Sequence, residues 1–101
     1  MAKQTPEGRV KAAAKKLLEA HGAYFFMPVS NGMGSHGIPD ILACLNGRFI
    51  AIEAKAGKNK PTALQEQNIL RIRHAGGVAL VVNEDLTELK MIVENYSRGV
   101  L

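Results

Sequence analysis

The fold is decided by residues 41–51, ILACLNGRFIA, in which two apolar runs flank Asn46-Gly47. An Asn-Gly pair between such runs is the strongest short-range signal for a β-hairpin, because both central residues of a type I′ turn need positive φ. With this pair as the two loop residues, the register of the strands is fixed. Continued outward from the turn, that register places Asp40 directly opposite Glu53.

Two carboxylates and one amine therefore gather at the open end of the predicted hairpin. Side chains directly opposite each other lie about 4.5–5.5 Å apart at Cβ, so Asp40 and Glu53 repel each other unless a cation lies between them. Lys55 follows Glu53 by two positions, and the alternation of a strand places both side chains on one face. Carboxylate oxygens, without cysteine or clustered histidine ligands, favour Mg²⁺ or Mn²⁺ over zinc. The pattern predicts a catalytic metal site with Asp40 and Glu53 as ligands and Lys55 as a catalytic lysine.

The same residues carry a family resemblance. Pro39-Asp40 followed by Glu53-Ala54-Lys55 fits the PD-(D/E)xK nuclease signature, with twelve residues between the two acids. With Gly37 ahead of the Pro-Asp pair, the chain resembles the VRR-NUC (virus-type replication-repair nuclease) family, and within it the small stand-alone viral or phage members. The resemblance extends from Glu7 to Val82. It implies an α/β fold with a restriction-endonuclease-like core, in which helices flank a mixed central sheet.

The activity of this family is expected here as well. The resemblance implies a metal-dependent DNA endonuclease that hydrolyses phosphodiester bonds during replication, repair or recombination. Because a chain of 101 residues offers little surface for reading base sequence, we expect a preference for branched or junction DNA with weak sequence specificity. Small stand-alone members resemble Holliday-junction resolvases in fold, and a homodimer with two active sites would suit symmetric cutting. The hairpin strands are apolar on both faces, which is typical of cover by helices on both sides or by a helix and a second subunit.

Two other classes of protein compete with this interpretation. A DNA-binding or assembly module could keep a nuclease fold without catalysis, but all three motif residues, Asp40, Glu53 and Lys55, are intact. A small metabolic α/β protein with solvated acids would leave unexplained why two opposed carboxylates end apolar strands beside a lysine. Metal-dependent cleavage of DNA separates the enzyme from both alternatives, and salt-sensitive binding without cleavage selects the module.

Three further site residues come mainly from the resemblance. Glu7 heads the inward stripe of the first predicted helix, where spacing alone leaves open a metal ligand or an acid favoured by the helix dipole. Related nucleases carry a glutamate at this place, which favours the metal role. By the same resemblance, the backbone carbonyl of Ala54 is a further metal ligand. Gln65 either closes a capping box with Thr62 or serves the active site as a catalytic residue, as in similar nucleases with this Thr-x-x-Gln pattern.

Two segments are candidates for contact with DNA. A basic, flexible connector follows the motif, and its Lys58 and Lys60 are either solvated charges or phosphate contacts. Residues 30–37, SNGMGSHG, form a glycine-rich loop in which Ser35 and His36 are candidate substrate contacts. This loop contains G-x-G-x-x-G, but a strand follows it where a dinucleotide site needs a helix, so we expect no nucleotide cofactor.

Length and composition limit the remaining possibilities. The 101 residues suit one domain, spanning 1–101, and 13 basic against 9 acidic residues give a net charge of +4, a mild indication of a polyanionic partner. No apolar run approaches the roughly 20 residues that span a membrane, and the first residues lack the apolar stretch of a signal peptide. The single cysteine, Cys44, is predicted to be a small buried apolar residue. We therefore expect an intracellular protein, in a bacterial or virus-infected host cell, that is not secreted.

The segments around the hairpin predict the order α-β-β-β-α-β-α. Thr5 and Pro6 begin the first helix, Thr62 begins the second, and glycines follow both. Polar residues 83–85 supply caps for the third helix. The predicted strands are 24–27, 40–45, 48–55 and 78–82, and the third helix is expected over about 86–96.

Overall fold

The computed structural model describes residues 4–29 and 37–99 of the chain. These residues form three helices and four strands in the predicted order α-β-β-β-α-β-α. The elements are α1 (Pro6–Ala20), β1 (Tyr24–Phe26), β2 (Ile41–Leu45), β3 (Arg48–Ala54), α2 (Ala63–His74), β4 (Val78–Val82) and α3 (Thr87–Ser97). The predicted strands agree with these to within one residue at each end. No helix in the described ranges is long and apolar enough to cross a membrane.

The four strands form one mixed sheet with the order β1-β2-β3-β4. The β1–β2 and β2–β3 pairs are antiparallel, whereas β3 and β4 are parallel, and α2 makes the crossover that a parallel pair requires. The hairpin has the predicted register, from Leu45 paired with Arg48 to Ile41 paired with Ile52. Its two turn residues have φ values of 52° and 81°, as a type I′ turn requires. The turn prediction is confirmed.

Helices cover the two faces of the sheet unequally. α1 and α3 contact each other on one face and build the main core with the inward residues of the hairpin. The buried members of this core include Val10, Ala14, Leu18, Leu89 and Val93 from the helices, and Ile41, Ile50 and Ile52 from the sheet. α2 covers the opposite face with Ile69 and the half-buried Ile72, which pack on Ala51 and Ala79. Burial of this aliphatic surface is the main term that stabilises the fold.

Part of the face under α2 remains uncovered. Tyr24, Phe26 and Phe49 are 78%, 52% and 44% exposed, and Cys44, which pairs with both Tyr24 and Phe49, is exposed as well. The prediction that Cys44 is buried is therefore wrong. The reason is that α2 packs mainly on β4, with Ala51 of β3 in the same cluster, and leaves the β1 side of this face to solvent. We call these four residues the β1 patch.

The first two helix starts have the predicted caps, Thr5 for α1 and a complete Thr62–Gln65 capping box for α2. The third start differs from the prediction. The N-cap of α3 is Leu86, whose side chain makes no capping bond. The carboxylate of Asp85 nevertheless accepts a hydrogen bond, at 3.0 Å, from the backbone nitrogen of the first residue of the helix.

The edge of the sheet at β4 is partly blocked by α2. The guanidinium of Arg73 donates two hydrogen bonds to the carbonyl of Ala79, from Nη2 at 2.8 Å and from Nε at 3.1 Å. β4 is the last strand on its side of the sheet. In an inner strand, a backbone carbonyl that points sideways is bonded to the next strand. At the β4 edge, the side chain of Arg73 provides that hydrogen bond to the carbonyl of Ala79.

Gly37, which opens the Gly-x-Pro-Asp motif, packs against the start of α2. Its φ is +82°, a conformation that glycine adopts without strain. A Cβ at this position would lie 2.7 Å from the carbonyl carbon and oxygen of Leu64 and 2.9 Å from the backbone nitrogen of Gln65. The motif therefore enters the sheet against the first turn of α2, where only a residue without a side chain fits.

Gly37→Ala should destabilise the protein more than Gly22→Ala. Gly22 has nearly the same φ, +77°, but a Cβ there meets nothing within 4 Å. Both variants incur the left-handed backbone cost of about 1–2 kcal/mol, and Gly37→Ala adds a clash with helix backbone that we expect to cost about 1–3 kcal/mol more. Urea unfolding of both variants measures the difference. Equal losses would show that Gly37 is needed for its φ alone.

Candidate active site

The two carboxylates of the motif lie at the open end of the β2–β3 hairpin. Asp40 directly precedes β2, and the register of the ladder, continued by one position, places it opposite Glu53. Asp40 Oδ2 accepts a hydrogen bond from the backbone nitrogen of Ala54 at 2.9 Å. This bond ties the side chain of Asp40 across the hairpin and holds it beside the second acid.

Lys55 lies between carboxylates that come from two different elements. Its Nζ is 3.5 Å from Glu53 Oε2 and 3.9 Å from Glu7 Oε1, and its side chain is only 12% exposed. The backbone nitrogen of Lys55 donates to the carbonyl of Val82 at 2.9 Å, which continues the pairing with β4 past the end of β3. Glu53 and Lys55 thus meet as the alternation of the strand predicted, and Glu7 reaches them from the first turn of α1.

Glu53 is the one buried charged residue in the described ranges, 4–29 and 37–99. It is 2% exposed, and its Oε1 has no hydrogen-bond partner among these residues. Burial first, and then the charge of Asp40, raise the pKa of Glu53 from 4.5 to about 7, whereas the ammonium of Lys55 acts in the opposite direction. A buried carboxylate oxygen without a partner is unfavourable, so Oε1 of Glu53 is a position at which a bound cation would be stabilising.

The arrangement fits a divalent cation. The unpartnered Oε1 of Glu53 and the adjacent carboxylate of Asp40 are hard oxygen donors, which suit Mg²⁺ or Mn²⁺. An ion between them would offset their repulsion and favour the ionised form of Glu53. Within the part of the chain that the structure describes, no three His, Cys, Asp or Glu side chains group closely enough to hold a metal, so Glu7 forms no single cluster with the other two acids. The metal-ligand roles of these acids and of the Ala54 carbonyl stay predictions.

The sequence patterns did not single out Lys11, which the structure places in the site. Its Nζ lies 3.7 Å from Asp40 Oδ1, the oxygen that Ala54 does not use, and its side chain is 32% exposed. Lys11 follows Glu7 by four positions, so both project from the same side of α1. The spacing of Glu7 and Lys11 could have predicted this position, because a helix that places Glu7 in the site also places the residue one turn later near it.

Gln65 performs the capping role. Its Oε1 accepts a hydrogen bond from Thr62 N at 2.9 Å, and its own backbone nitrogen donates to Thr62 Oγ1 at 3.2 Å. The capping box uses the side-chain oxygen and not the amide nitrogen. A catalytic role of Gln65, which in this conformation would have to act through that nitrogen, stays a prediction.

The connector after β3 is held at one point by the loop after β4. The two carboxylate oxygens of Glu84 accept from Gly57 N at 2.9 and 3.3 Å, which lowers the pKa of Glu84. Asn83 Nδ2 donates to the carbonyl of Gly57 at 3.4 Å. The expectation of a flexible connector is thus corrected at Gly57, because its backbone is bonded on both sides.

Four residues were predicted to contact DNA. Lys58 and Lys60 are exposed on the connector, as a contact with phosphate requires. Ser35 and His36 lie outside the described residues. All four roles stay predictions.

The fold and the site together define a class of protein. A mixed sheet whose central hairpin presents Asp40, Glu53 and Lys55 at one end is the core of a PD-(D/E)xK-type nuclease. The family model described as archaeal Holliday junction resolvase (Hjc) matches residues 10–93, and the chain belongs to that family. The matched region includes the three motif residues and leaves Glu7 outside.

Solved structures with the same architecture include two nuclease folds. One, described as a VRR_NUC domain, has a TM-score of 0.70 at 28% identity, and the similarity covers 91% of this chain and 98% of the other. The second is Hjc, a Holliday junction resolvase from the archaeal hyperthermophile Archaeoglobus fulgidus, with a TM-score of 0.51 at 25% identity over 72% of this chain and 65% of the other. No curated protein matches the chain significantly. The predicted nuclease class and fold are confirmed, and a viral or phage source stays a prediction.

The raised pKa of Glu53 predicts how the stability of the metal-free protein depends on pH. In the folded state the carboxyl keeps its proton up to about pH 7, whereas in the unfolded chain it loses the proton near 4.5. The folded state therefore binds more protons between these values. The contribution of Glu53 to the free energy of unfolding falls as pH rises through this window, by about 1–3 kcal/mol, and Glu53→Gln removes that dependence.

Urea unfolding of wild type and Glu53→Gln in EDTA, at about pH 5 and about pH 8, tests this expectation. The variant should gain stability relative to wild type as the pH rises. Glu19→Gln changes an exposed acid of α1 and should keep the wild-type pH dependence. Parallel pH curves for wild type and Glu53→Gln would contradict the prediction.

Proposed function

We propose that this protein is a metal-dependent DNA endonuclease that cuts branched DNA, with the four-way junction as its main substrate and with weak sequence specificity. The observation that carries the proposal is the buried, unpartnered Oε1 of Glu53, in a carboxylate that lies next to Asp40 and whose other oxygen, Oε2, is 3.5 Å from Lys55 Nζ. The substrate class is supported by membership of the Holliday junction resolvase family and by the similarity to the Archaeoglobus fulgidus resolvase. Its place of action is inside the cell, in replication, repair or recombination.

Each motif residue has a distinct task in this proposal. Asp40 and Glu53 hold Mg²⁺ or Mn²⁺, with the carbonyl of Ala54 as a further ligand. A divalent cation at this place supplies positive charge to the phosphodiester and lowers the pKa of the attacking water. Lys55, placed between Glu53 and Glu7, donates hydrogen bonds to that water or to the charged oxygens of the transition state. The bond from Ala54 N fixes the orientation of Asp40.

A catalytically silent DNA-binding module on the same fold is the alternative. Such a module needs a basic surface, but it gains nothing from a carboxylate that is buried without a partner, because this burial is unfavourable. An acid with a raised pKa beside a lysine is typical of a catalytic site. The enzyme is therefore the better supported function.

Two copies of the chain, in this proposal, assemble through the β1 patch. Its large apolar side chains, Tyr24, Phe26 and Phe49, lie exposed on one face of the sheet together with Cys44. Adjacent exposed apolar residues of this size are typical of a protein interface. A second copy is the occupant that suits the substrate, because a four-way junction is resolved by two symmetric cuts and each copy supplies one active site.

Asp40→Asn should abolish metal-dependent cleavage and keep the fold. Asparagine has the shape of aspartate and can still accept the hydrogen bond from Ala54 N, but it lacks the charge that holds the ion. Lys55→Met should lower the cleavage rate by about 10²–10³-fold, as is usual when one group that stabilises transition-state charge is lost. The assay is cleavage of four-way-junction, linear and plasmid DNA with Mg²⁺, Mn²⁺ or EDTA.

Matched changes outside the site are the controls. Glu19→Gln and Lys15→Met each remove one exposed charge from α1 and should cleave as wild type does. Wild-type cleavage in EDTA, or by Asp40→Asn, would contradict the proposal. Salt-sensitive binding of junction DNA without cleavage in any metal would select the silent module.

Phe26→Glu should weaken the dimer, because it places an unpaired charge in an apolar interface. Leu70→Glu changes another exposed apolar residue, 61% exposed on α2, and should leave the oligomeric state unaltered. Sedimentation velocity over a range of concentrations compares both variants with wild type.

The one cysteine of the chain gives a second measurement of the same dimer. Labelling of Cys44 by a maleimide should slow as the wild-type protein dimerises, and this protection should be absent in Phe26→Glu. A wild-type protein that stays monomeric, with Cys44 rapidly labelled at every concentration, would exclude an interface at the β1 patch.

A further inference from the structure

Lys11 lies in the site but has no task in the chemistry described so far. It projects from the second turn of α1, and its Nζ is 3.7 Å from Asp40 Oδ1. The other oxygen, Oδ2, accepts the hydrogen bond from Ala54 N. Lys11 therefore faces the oxygen of Asp40 that remains for a metal ion.

The contact between Lys11 and Asp40 is weak enough to be exchanged. A direct hydrogen bond between an ammonium and a carboxylate is about 2.7–2.9 Å long, and 3.7 Å is well beyond that range. The two side chains are 32% and 21% exposed, and ion pairs at partly exposed positions contribute little to stability. Lys55, by contrast, is more buried and lies between two carboxylates. The two lysines thus differ in burial and in the number of acids they contact, since Lys55 is 12% exposed and faces two acids and Lys11 is 32% exposed and faces one.

A divalent cation and the ammonium of Lys11 compete for the same oxygen. Like charges a few ångströms apart repel each other, and a doubly charged ion does so about twice as strongly as a single charge. Lys11 can turn away, because its flexible four-carbon side chain already reaches solvent. Once it leaves Asp40, Lys11 can reach other anions, which include Glu7 one turn earlier on α1 and a DNA phosphate that enters the site.

We propose that Lys11 exchanges Asp40 for a DNA phosphate when the metal ion binds, an inference that rests on the function proposed above. Lys11 neutralises Asp40 in the metal-free protein and becomes a substrate-binding residue in the metal-loaded protein. Metal binding and DNA binding are then coupled through one side chain. Metal binding displaces Lys11 from Asp40 and so favours DNA binding. In return, a phosphate bound to Lys11 keeps this lysine away from Asp40 and so favours metal binding.

Metal binding without DNA is the first test. Lys11→Met removes the charge and keeps the length of the side chain, so it should bind Mn²⁺ roughly two- to fivefold more tightly than wild type, measured by isothermal titration calorimetry. Lys15→Met, on the same helix and exposed, should bind Mn²⁺ as wild type does, and so should Lys11→Arg. An unchanged or weaker Mn²⁺ affinity of Lys11→Met would overturn the competition.

Binding of junction DNA is the second test. With Ca²⁺ present, and with intact DNA checked on the same gel, Lys11→Met should lose several-fold in affinity. The slope of log affinity against log salt should become shallower by about 0.9, which corresponds to one phosphate contact. In EDTA, Lys11→Met should reduce the affinity for junction DNA much less, because without a metal ion Lys11 is paired with Asp40 and not with the DNA. An equal loss with and without Ca²⁺ would overturn the exchange.

Failure of this inference is distinguishable from failure of the proposed function. If wild type binds Mn²⁺ and Asp40→Asn does not, the metal site stands, and a Lys11→Met variant that behaves like Lys15→Met overturns the exchange alone. If wild type binds no Mn²⁺ with or without DNA, the metal site and the exchange both fall. Thermal unfolding of each variant checks that the fold is kept.

Discussion

The β2–β3 hairpin holds two acids against each other, and the rest of the site depends on this enforced repulsion. The two-residue turn sets the register, and the bond from Ala54 keeps Asp40 beside Glu53. Like charges directly opposite each other destabilise a sheet, and here one of the two is also buried. The surrounding elements place a lysine beside each acid. α1 positions Lys11 next to Asp40, and Lys55 at the end of β3 lies next to Glu53.

The unequal cover of the sheet explains where the site lies. α1 and α3 fill one face, so the hairpin is backed by a continuous aliphatic core. α2 begins beside the motif, and the close packing of Gly37 on its first turn holds the segment that leads into Asp40. The acids therefore lie at the open end of the hairpin, where Glu7 from the first turn of α1 reaches Lys55 and where Gly37, three residues before Asp40, packs on the start of α2. Each side chain in the site projects from, or directly adjoins, a regular element, which favours a fixed geometry.

Most of the fold could be predicted because its signals are local. The Asn46-Gly47 turn and the caps at Thr5 and Thr62 each depend on a few neighbouring residues, and the opposition of the two acids follows from the turn. Cys44 and Lys11 could not be placed in the same way. An apolar strand indicates that its faces can be covered, but not whether this chain or another supplies the cover. A helix lysine is solvated until an acid distant in the sequence packs beside it.

Arg73 limits how copies of this chain can meet. An open edge strand is a template on which strands of other molecules can add one after another, and that route leads to aggregates without a fixed size. A guanidinium bonded to the Ala79 carbonyl obstructs such growth at β4. The side chain of Arg73 thus occupies a backbone acceptor that an added strand would need, which makes the β4 edge a poor template for strand addition at this position.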